Sequence, residues 1–153
     1  MEINFDLIPN MEYFRTSKSI DDIMDYKELG AFAIEAKKRA IPKYSNFHVG
    51  AALLTKAGKV YLGGNIESSS YGLTICAERT AIFKALSEGE REFAAIAIAS
   101  DDKGFCSPCG ACRQIISDYC GEIDIVLINH QNEIKTFKTS EALPFAFTDE
   151  SLK

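Results

Sequence analysis

The sequence predicts an α/β fold in which a layered, mixed β-sheet of about five strands is flanked by helices. Segments with helical spacing alternate along the chain with short apolar runs of strand length. No repeat and no Pro/Gly/Ser-rich linker divides the 153 residues, a length typical of one domain. We therefore expect a single domain over residues 21–153, preceded by an N-terminal extension over residues 1–20 that is apolar enough to pack on another surface.

The first half of the domain predicts two helices with a β-hairpin between them. Ser19 and Asp22 resemble a capping box at the start of the first helix. The Ala57-Gly58 pair marks the turn of the hairpin, and Gly89 is a stop signal for the second helix. The expected elements are a helix over 21–40, strands over 49–55 and 60–66, and a helix over 76–88.

The second half predicts one more helix among three strands. The run from Ala94 to Ala99 is too short and too uniformly apolar for a surface helix, so we expect a strand buried on both faces. Pro108 is expected near the first turn of the following helix, and Gly121 comes after its end. The expected elements are a strand over 94–99, a helix over 108–119, and strands over 123–129 and 134–137.

Charge and hydropathy limit the partners that the chain can bind. Lysine and arginine number 17 against 22 acidic residues, a formal charge of −5, which disfavours duplex nucleic acid because phosphate neutralisation needs a basic surface. No apolar run approaches the roughly 18 residues that cross a bilayer, and the N-terminus lacks the apolar core of a secretory signal. We expect a cytoplasmic protein that binds neither nucleic acid nor membrane, with a small neutral or cationic ligand left open.

The five cysteines indicate a metal site or catalysis more than disulfides, because their placement is uneven and the expected compartment is reducing. Cys109 and Cys112 are three residues apart, so on a first helical turn both sulfurs face one side. Cys76 also lies near a predicted helix start, where the helix dipole lowers the pKa of a thiol. Two such helix ends would gather three thiolates around one zinc ion, as in catalytic sites that keep a fourth position for water.

Glu78 stands two residues after Cys76, so its carboxylate can lie beside the metal without binding it. A carboxylate in that place can take a proton from the zinc-activated water and pass it to a substrate. A closed structural zinc site in a binding module is the alternative, and it would need Cys106 or Cys120 as a fourth ligand. Otherwise Cys106 is a bystander outside the predicted helix, and Cys120 can equally be a small buried hydrophobe.

Four motifs extend this pattern between residues 44 and 147. They are Tyr44-Ser45-Asn46-Phe47-His48-Val49-Gly50-Ala51-Ala52, Gly64-Asn65-Ile66-Glu67, Cys76-Ala77-Glu78-Arg79-Thr80-Ala81 and Ser107-Pro108-Cys109-Gly110-Ala111-Cys112-Arg113-Gln114. With them the chain resembles the small, three-cysteine class of cytidine deaminases. The resemblance implies hydrolytic deamination of cytidine and deoxycytidine in pyrimidine salvage, one Zn²⁺ per chain, and a homotetramer whose active sites are shared between chains.

The resemblance also implies a role for each residue that matches the motifs. Around the metal, the implied zinc ligands are Cys76, Cys109 and Cys112. Glu78 is the implied proton shuttle, and Arg79 is the arginine implied to compensate the negative charge. Around the nucleoside, the implied contacts are Phe47 stacked on the pyrimidine, Asn65 and Glu67 at the ribose hydroxyl, the backbone at Ala77 and Ser107 at the base edge, and Tyr71 and Phe147 from neighbouring chains.

Some features depart from this pattern or leave the substrate open. Relatives often have a larger residue between the glycine and the asparagine of the motif, where this chain has Gly63-Gly64-Asn65. Phe145 stands where small residues are common. A nucleoside-like antibiotic, or cytosine within a polynucleotide, is an alternative substrate, although Asn65 and Glu67 favour a free ribose and the acidic charge disfavours a polynucleotide.

Overall fold

The computed structural model describes residues 24–152, so the extension 1–20 and the expected capping box at Ser19 and Asp22 lie outside the described residues. The strands are β1 (Val49–Thr55), β2 (Val60–Gly64), β3 (Phe93–Ser100), β4 (Asp124–Ile128) and β5 (Ile134–Lys138). The α-helices are α1 (Tyr26–Lys37), α2 (Ala77–Ser87), α3 (Gly110–Cys120) and α4 (Thr139–Ala142). Short 3-10 turns span Tyr71–Leu73 and Asp149–Leu152.

The five strands form one mixed sheet in the order β2-β1-β3-β4-β5, which confirms the predicted fold class. β3 and β4 are parallel, with Ala95 opposite Asp124 and Ile98 opposite Leu127, and the other neighbours are antiparallel. A parallel pair needs a crossover connection, and α3 lies within it. The C-terminal end of β3 therefore leads through a loop to the start of α3.

Helices cover both faces of the sheet and divide the core into two parts. On one face α1 packs through Leu29 and Ala33 against the alanines of β3. On the opposite face α2 and α3 pack through Ala81, Ile82 and Ile116 against the isoleucines of β3. All eight residues of β3 are buried, as predicted for a strand covered on both faces.

Several element boundaries differ from the predictions by one to five residues, and two of these differences, in α1 and β2, have a visible cause. α1 begins at Tyr26 instead of residue 21, because the side chain of Asp25 accepts a hydrogen bond from the Lys27 amide (3.2 Å) and caps the helix there. β2 ends at Gly64 instead of residue 66, and Ile66 makes only isolated bridges outside the strand. Both differences come from local hydrogen bonds that compete with a continued apolar pattern.

The helices α2 and α3 begin in the same way, each with a cysteine at the N-cap position. Cys76 precedes α2 and Cys109 precedes α3, both with extended backbone. α3 begins at Gly110 instead of residue 108, so Pro108 lies near the first turn but directly before the N-cap residue. α4 was not predicted, since four residues are too few to show helical periodicity. None of the helices within residues 24–152 is long and apolar enough to span a membrane.

The start of α2 lies directly on the backbone of β2 at Gly63. A Cβ at Gly63 would stand 2.3 Å from the carbonyl oxygen of Ala77 and 2.5 Å from the amide nitrogen of Ala81. Any side chain would push the two backbones apart, which is why glycine is needed at this close approach. Gly63 thus fixes how close the first turn of α2, with Cys76 and Glu78, lies to the sheet.

Candidate active site and metal centre

Three cysteine sulfurs meet where the N-termini of α2 and α3 approach each other. The Sγ atoms of Cys76, Cys109 and Cys112 all lie within 4.8 Å of one another. Cys76 and Cys109 come from the two N-cap positions, and the buried Cys112 comes from the first turn of α3. Two helix N-termini direct their positive dipole ends towards this cluster, which favours thiolate over thiol.

The spacing of the sulfurs fits a tetrahedral zinc ion. Two sulfurs bound to one tetrahedral zinc at about 2.3 Å lie about 3.8 Å apart. The Sγ atoms of Cys76 and Cys109 are 3.8 Å apart. Within residues 24–152 no fourth histidine, cysteine or acidic side chain joins the three sulfurs as a ligand. The donor set is therefore that of an open site with three protein ligands.

Arg79 lies against the sulfur cluster and supplies positive charge. Its Nη2 donates hydrogen bonds to the carbonyl oxygen of Thr74 (3.3 Å) and to Sγ of Cys76 (3.5 Å). Its buried Nε finds no hydrogen-bond partner among the described residues. Three thiolates and one Zn²⁺ carry a net charge of about −1, which one guanidinium offsets.

The thiols of the cluster are electrostatically unequal. A hydrogen bond from Cys112 and the adjacent Arg79 guanidinium lower the pKa of Cys76 to about 5, against the opposing effect of partial burial. The same hydrogen bond with Cys76, together with burial, raises the pKa of Cys112. Cys76 is thus an anion at neutral pH, ready to bind a cation.

Glu78 is a buried carboxyl group on the first turn of α2, with only 4% of its surface exposed. Burial raises its pKa to about 7, and the charge on Cys76 acts in the same direction. The neighbouring Cys112 side chain acts in the opposite direction, so the Glu78 carboxyl lies beside the sulfur cluster. A carboxyl that both accepts and releases a proton near neutral pH is suited to general acid–base catalysis.

Asn65 and Glu67, predicted to bind a ribose, also hold the segment that enters β1. The buried Asn65 side chain accepts a hydrogen bond from the Val49 amide (2.8 Å) and donates one to the Phe47 carbonyl (2.9 Å). Glu67 accepts hydrogen bonds from the amides of Tyr44 (2.7 Å) and Ser45 (3.0 Å). These contacts fix the position of Phe47, whose side chain remains 37% exposed.

The predicted substrate contacts are distributed over separate surfaces of one chain. Tyr71 packs edge-on against Tyr44, and the two rings line a cavity together with Glu67. Phe147 lies along α3 instead, where its carbonyl accepts a hydrogen bond from Gln114 (2.8 Å). Tyr71 and Phe147 are 73% and 59% exposed, so each presents most of its ring outward.

Residues 24–128 match the family model described as "Cytidine and deoxycytidylate deaminase zinc-binding region". The chain belongs to the cytidine and deoxycytidylate deaminase family. This membership confirms the resemblance inferred from the motifs and the zinc-binding character of the domain.

Individual relatives of the family cover nearly the whole described domain. A cytidine deaminase of Halalkalibacterium halodurans is 51% identical over 130 residues, which are 84% of this chain and 98% of the relative. One of Sporosarcina psychrophila is 47% identical over 130 residues, covering 84% of this chain and 96% of the relative. The crystal structure of a cytidine deaminase from Burkholderia pseudomallei, 46% identical, superposes with a TM-score of 0.78 over 81% of this chain and 100% of that chain.

Neither of the remaining cysteines belongs to the sulfur cluster of this deaminase domain. Burial raises the pKa of Cys106, and burial alone raises the pKa of Cys120 to about 12. Cys120 packs against the core on the α2–α3 face of the sheet. Among residues 24–152 neither sulfur lies with the three of the cluster, so the closed structural site lacks the fourth cysteine ligand that it needs.

Sequence reasoning did not single out Asp101, which holds the other side of the Phe47 segment. Its carboxylate accepts hydrogen bonds from the His48 amide (2.8 Å) and ring Nδ1 (2.7 Å), and it forms an ion pair with Lys37 (3.1 Å). The available signal was its place directly after the buried strand β3, beside the start of β1. Residues 53 positions apart are brought together only by the pairing of these strands.

Proposed function

We propose that this chain catalyses the zinc-dependent hydrolytic deamination of cytidine and deoxycytidine, giving uridine or deoxyuridine and ammonia, as a step of pyrimidine salvage. The observation that carries the proposal is the cluster of three sulfurs with the buried Glu78 carboxyl in contact with it. Relatives at about 50% identity that bear the name cytidine deaminase support the same reaction.

Cys76, Cys109 and Cys112 hold the zinc in this proposal, and Arg79 balances the charge of their thiolates. When bound, zinc supplies a Lewis acid that lowers the pKa of a coordinated water to about 7. Glu78 as a carboxylate accepts the proton of that water. Glu78 as a carboxylic acid would donate this proton to the adjacent ring nitrogen while the water oxygen bonds to the amine-bearing ring carbon. Glu78 would then take the remaining hydroxyl proton and pass it to the amino group, so that the carbon–nitrogen bond breaks and ammonia leaves.

The nucleoside is bound by groups that surround the sulfur cluster. Phe47 stacks on the pyrimidine, while the backbone at Ala77 and Ser107 binds the base edge. Asn65 and Glu67 bind the ribose hydroxyl, and their hydrogen bonds to residues 44–49 leave one N–H of the Asn65 amide and one lone pair of Glu67 Oε1 for this task. One pair of side chains thus holds the stacking segment and the sugar in register.

We also propose that the protein is a homotetramer in which Tyr71 and Phe147 complete the active site of a neighbouring chain. The support is their exposure, together with that of Leu73 and the fully exposed Phe145, because large exposed apolar side chains are typical of interfaces. Phe145 also has a left-handed backbone (φ 57°), a costly conformation for an aromatic residue that indicates a function.

A cytoplasmic location is part of the same proposal. All five cysteines are free thiols, including three close enough to be oxidised were the compartment oxidising. Free thiols in such proximity are typical of a reducing compartment.

Ammonia release from cytidine, measured with and without a zinc chelator, tests the proposed reaction. We expect release that the chelator abolishes and that added zinc restores, and slower release from single-stranded oligonucleotides. A protein that binds one zinc per chain yet releases no ammonia from cytidine or deoxycytidine would contradict the proposal. Faster release from oligonucleotides would instead assign the site to polynucleotide substrates.

A further inference from the structure

Arg113 follows Cys112 on α3 and binds the loop that precedes Cys109. Its Nε donates a hydrogen bond to the carbonyl oxygen of Pro108 (2.8 Å), and its Nη2 donates one to the hydroxyl of Ser107 (3.0 Å). The guanidinium fork is planar and rigid, so two acceptors bound by it are fixed in direction relative to each other. Arg113 therefore holds the two residues immediately before the N-cap cysteine.

The loop needs such a support, because it has no regular structure of its own. Residues 101–109 connect β3 with α3 without a helix or strand, and Ser107 and Cys109 are exposed. Of this stretch, Pro108 is fully buried. Apart from that proline, the contacts of Arg113 are what tie residues 107 and 108 to α3.

The same guanidinium reaches the C-terminal part of the chain. Its Nη1 donates a hydrogen bond to the carbonyl oxygen of Ala142, the last residue of α4 (3.2 Å). The next residue, Gln114, donates from Nε2 to the carbonyl oxygen of Phe147 (2.8 Å) and to Asp118 (2.8 Å). Two consecutive residues of α3 thus hold both ends of the segment from Ala142 to Phe147.

We propose that Arg113 is a positioning residue that couples the loop at Ser107 and Pro108 to the C-terminal segment that carries Phe147. It sets the backbone at Ser107 for contact with the base edge and keeps this backbone in register with the segment that extends towards a neighbouring chain. The inference rests on the proposed function for the identity of the ligand, and on the hydrogen bonds of one side chain for the coupling. A misplacement of about 1 Å in such a support can cost about 100-fold in rate.

Two variants of Arg113 and one control test the proposal on the zinc-loaded enzyme. Arg113→Ala removes all three hydrogen bonds, and Arg113→Lys keeps the charge but not the fork. Arg91→Ala is the matched control, because Arg91 also donates to backbone carbonyls, those of Leu86 and Glu90, but at the other end of α2. The zinc content, KM and kcat for cytidine are measured for each protein.

We expect both Arg113 variants to keep one zinc per chain and to lose about 10- to 100-fold in kcat/KM, mainly through KM. Guanidinium ion at a non-denaturing concentration should restore part of the activity of Arg113→Ala. It should leave the activity of Arg91→Ala unchanged. Values of KM and kcat for Arg113→Lys within about twofold of wild type would overturn the proposal, and so would an activity loss in Arg113→Ala explained by lost zinc alone.

Hydrogen–deuterium exchange provides a readout that does not need activity. In Arg113→Ala, or in Arg113→Lys should the alanine variant not fold, amides of residues 105–109 and 143–147 should both exchange faster than in wild type. In Arg91→Ala neither segment should change. Unchanged exchange in either segment would overturn the coupling, whereas a wild-type enzyme inactive on cytidine would overturn the proposed function and leave this exchange test valid.

Discussion

Cys76 and Glu78 lie two residues apart at the start of α2, and their surroundings shift their pKa values in opposite directions. The pKa of Cys76 falls to about 5 because Cys112 and Arg79 donate to its sulfur. The pKa of Glu78 rises to about 7 because the carboxyl is buried. Neighbouring groups whose pKa values are shifted in opposite directions are typical of sites in which one group binds a cation and the other transfers a proton.

Asp101 provides a test at the scale of one residue, because its carboxylate holds the backbone of His48 next to Phe47. Partial burial would raise the pKa of Asp101, but hydrogen bonds from His48 and Lys37 lower it from the ordinary 3.8 to about 2. A lowered folded-state pKa stabilises the protein above the unfolded-state value, and the stabilisation is lost as the pH falls from about 4 to about 2. With 37% of the side chain exposed, we expect Asp101→Asn to cost about 1 kcal/mol at pH 7.

Urea unfolding of both proteins at pH 7, 4 and 3, with zinc removed by a chelator, measures this effect, because protonation of the cysteines would otherwise release zinc within the same pH range. The difference in free energy of unfolding between wild type and Asp101→Asn should shrink as the pH falls. Asp102→Asn is the control, since among the described residues the one hydrogen bond to the Asp102 carboxylate comes from the Gly104 amide in the same loop, and its difference should stay near zero. A difference for Asp101→Asn that grows towards pH 3 would refute the assignment.

Some site residues could be predicted from the sequence because their spacing along the chain is itself informative. The structure brings Cys76, Cys109 and Cys112 together in one sulfur cluster, and the sequence predicted this because the two helix starts near it could be located from local signals. The backbone contacts of Asn65 and the place of Asp101 could not be predicted. Both depend on strand pairings between residues 16 to 53 positions apart, which no local pattern encodes.

The packing of α2 on β2 gives a prediction at the scale of elements. Gly63→Ala places a Cβ within 2.3 Å of the Ala77 carbonyl, so the first turn of α2 must move away from the sheet. We expect a loss of about 1–3 kcal/mol in the free energy of unfolding from overpacking. We also expect a fall in kcat for cytidine, because Cys76 and Glu78 move with that turn.

Gly50→Ala is the matched control for this prediction. A Cβ at Gly50 would stand 2.2 Å from the carbonyl oxygen of Ala33, so it displaces α1 on the opposite face of the sheet. Both variants should be less stable in urea, but kcat should fall further in Gly63→Ala. Equal losses of kcat in two equally destabilised variants would show that the approach at Gly63 has no particular role in the site.

The elements that sequence analysis predicted well are those with long or uniform apolar patterns. β1 has the predicted bounds, 49–55, and β3 extends the predicted strand by one residue at each end. The start of α1 was predicted too early. The apolar pattern continues upstream of residue 26, but the helix itself begins after the Asp25 cap. α4 and the 3-10 turns escaped prediction, because three or four residues depend on their tertiary surroundings more than on their own periodicity.

At the scale of the whole molecule, the proposed tetramer makes the active site a product of two chains. Tyr71 of one chain would then act with the sulfur cluster of another. A variant that lacks Tyr71 and a variant that lacks Glu78 should therefore restore each other's activity in a mixed tetramer. Co-expressing Tyr71→Ala with Glu78→Gln should give mixed tetramers more active than either variant alone, because some sites combine an intact Glu78 with an intact Tyr71. Two copies of Glu78→Gln with separate affinity tags serve as the control and should remain inactive.

Sedimentation of the purified protein measures the assembly itself. A homotetramer should sediment at about four times the mass of one 16.9 kDa chain. A monomer that is fully active on cytidine would show that Tyr71 and Phe147 are not supplied by neighbouring chains. Mixed tetramers no more active than the single variants would lead to the same conclusion.

The proposed reaction needs an open three-sulfur metal site and one buried proton carrier that act together. Zinc content and turnover of cytidine, measured on the same preparation of Glu78→Gln, test it most directly, with Glu88→Gln at the far end of α2 as control. We predict one zinc per chain in both variants, near-normal turnover in Glu88→Gln, and a loss of at least about 100-fold in Glu78→Gln. A zinc-loaded Glu78→Gln enzyme that keeps more than about a tenth of wild-type turnover would contradict the claim.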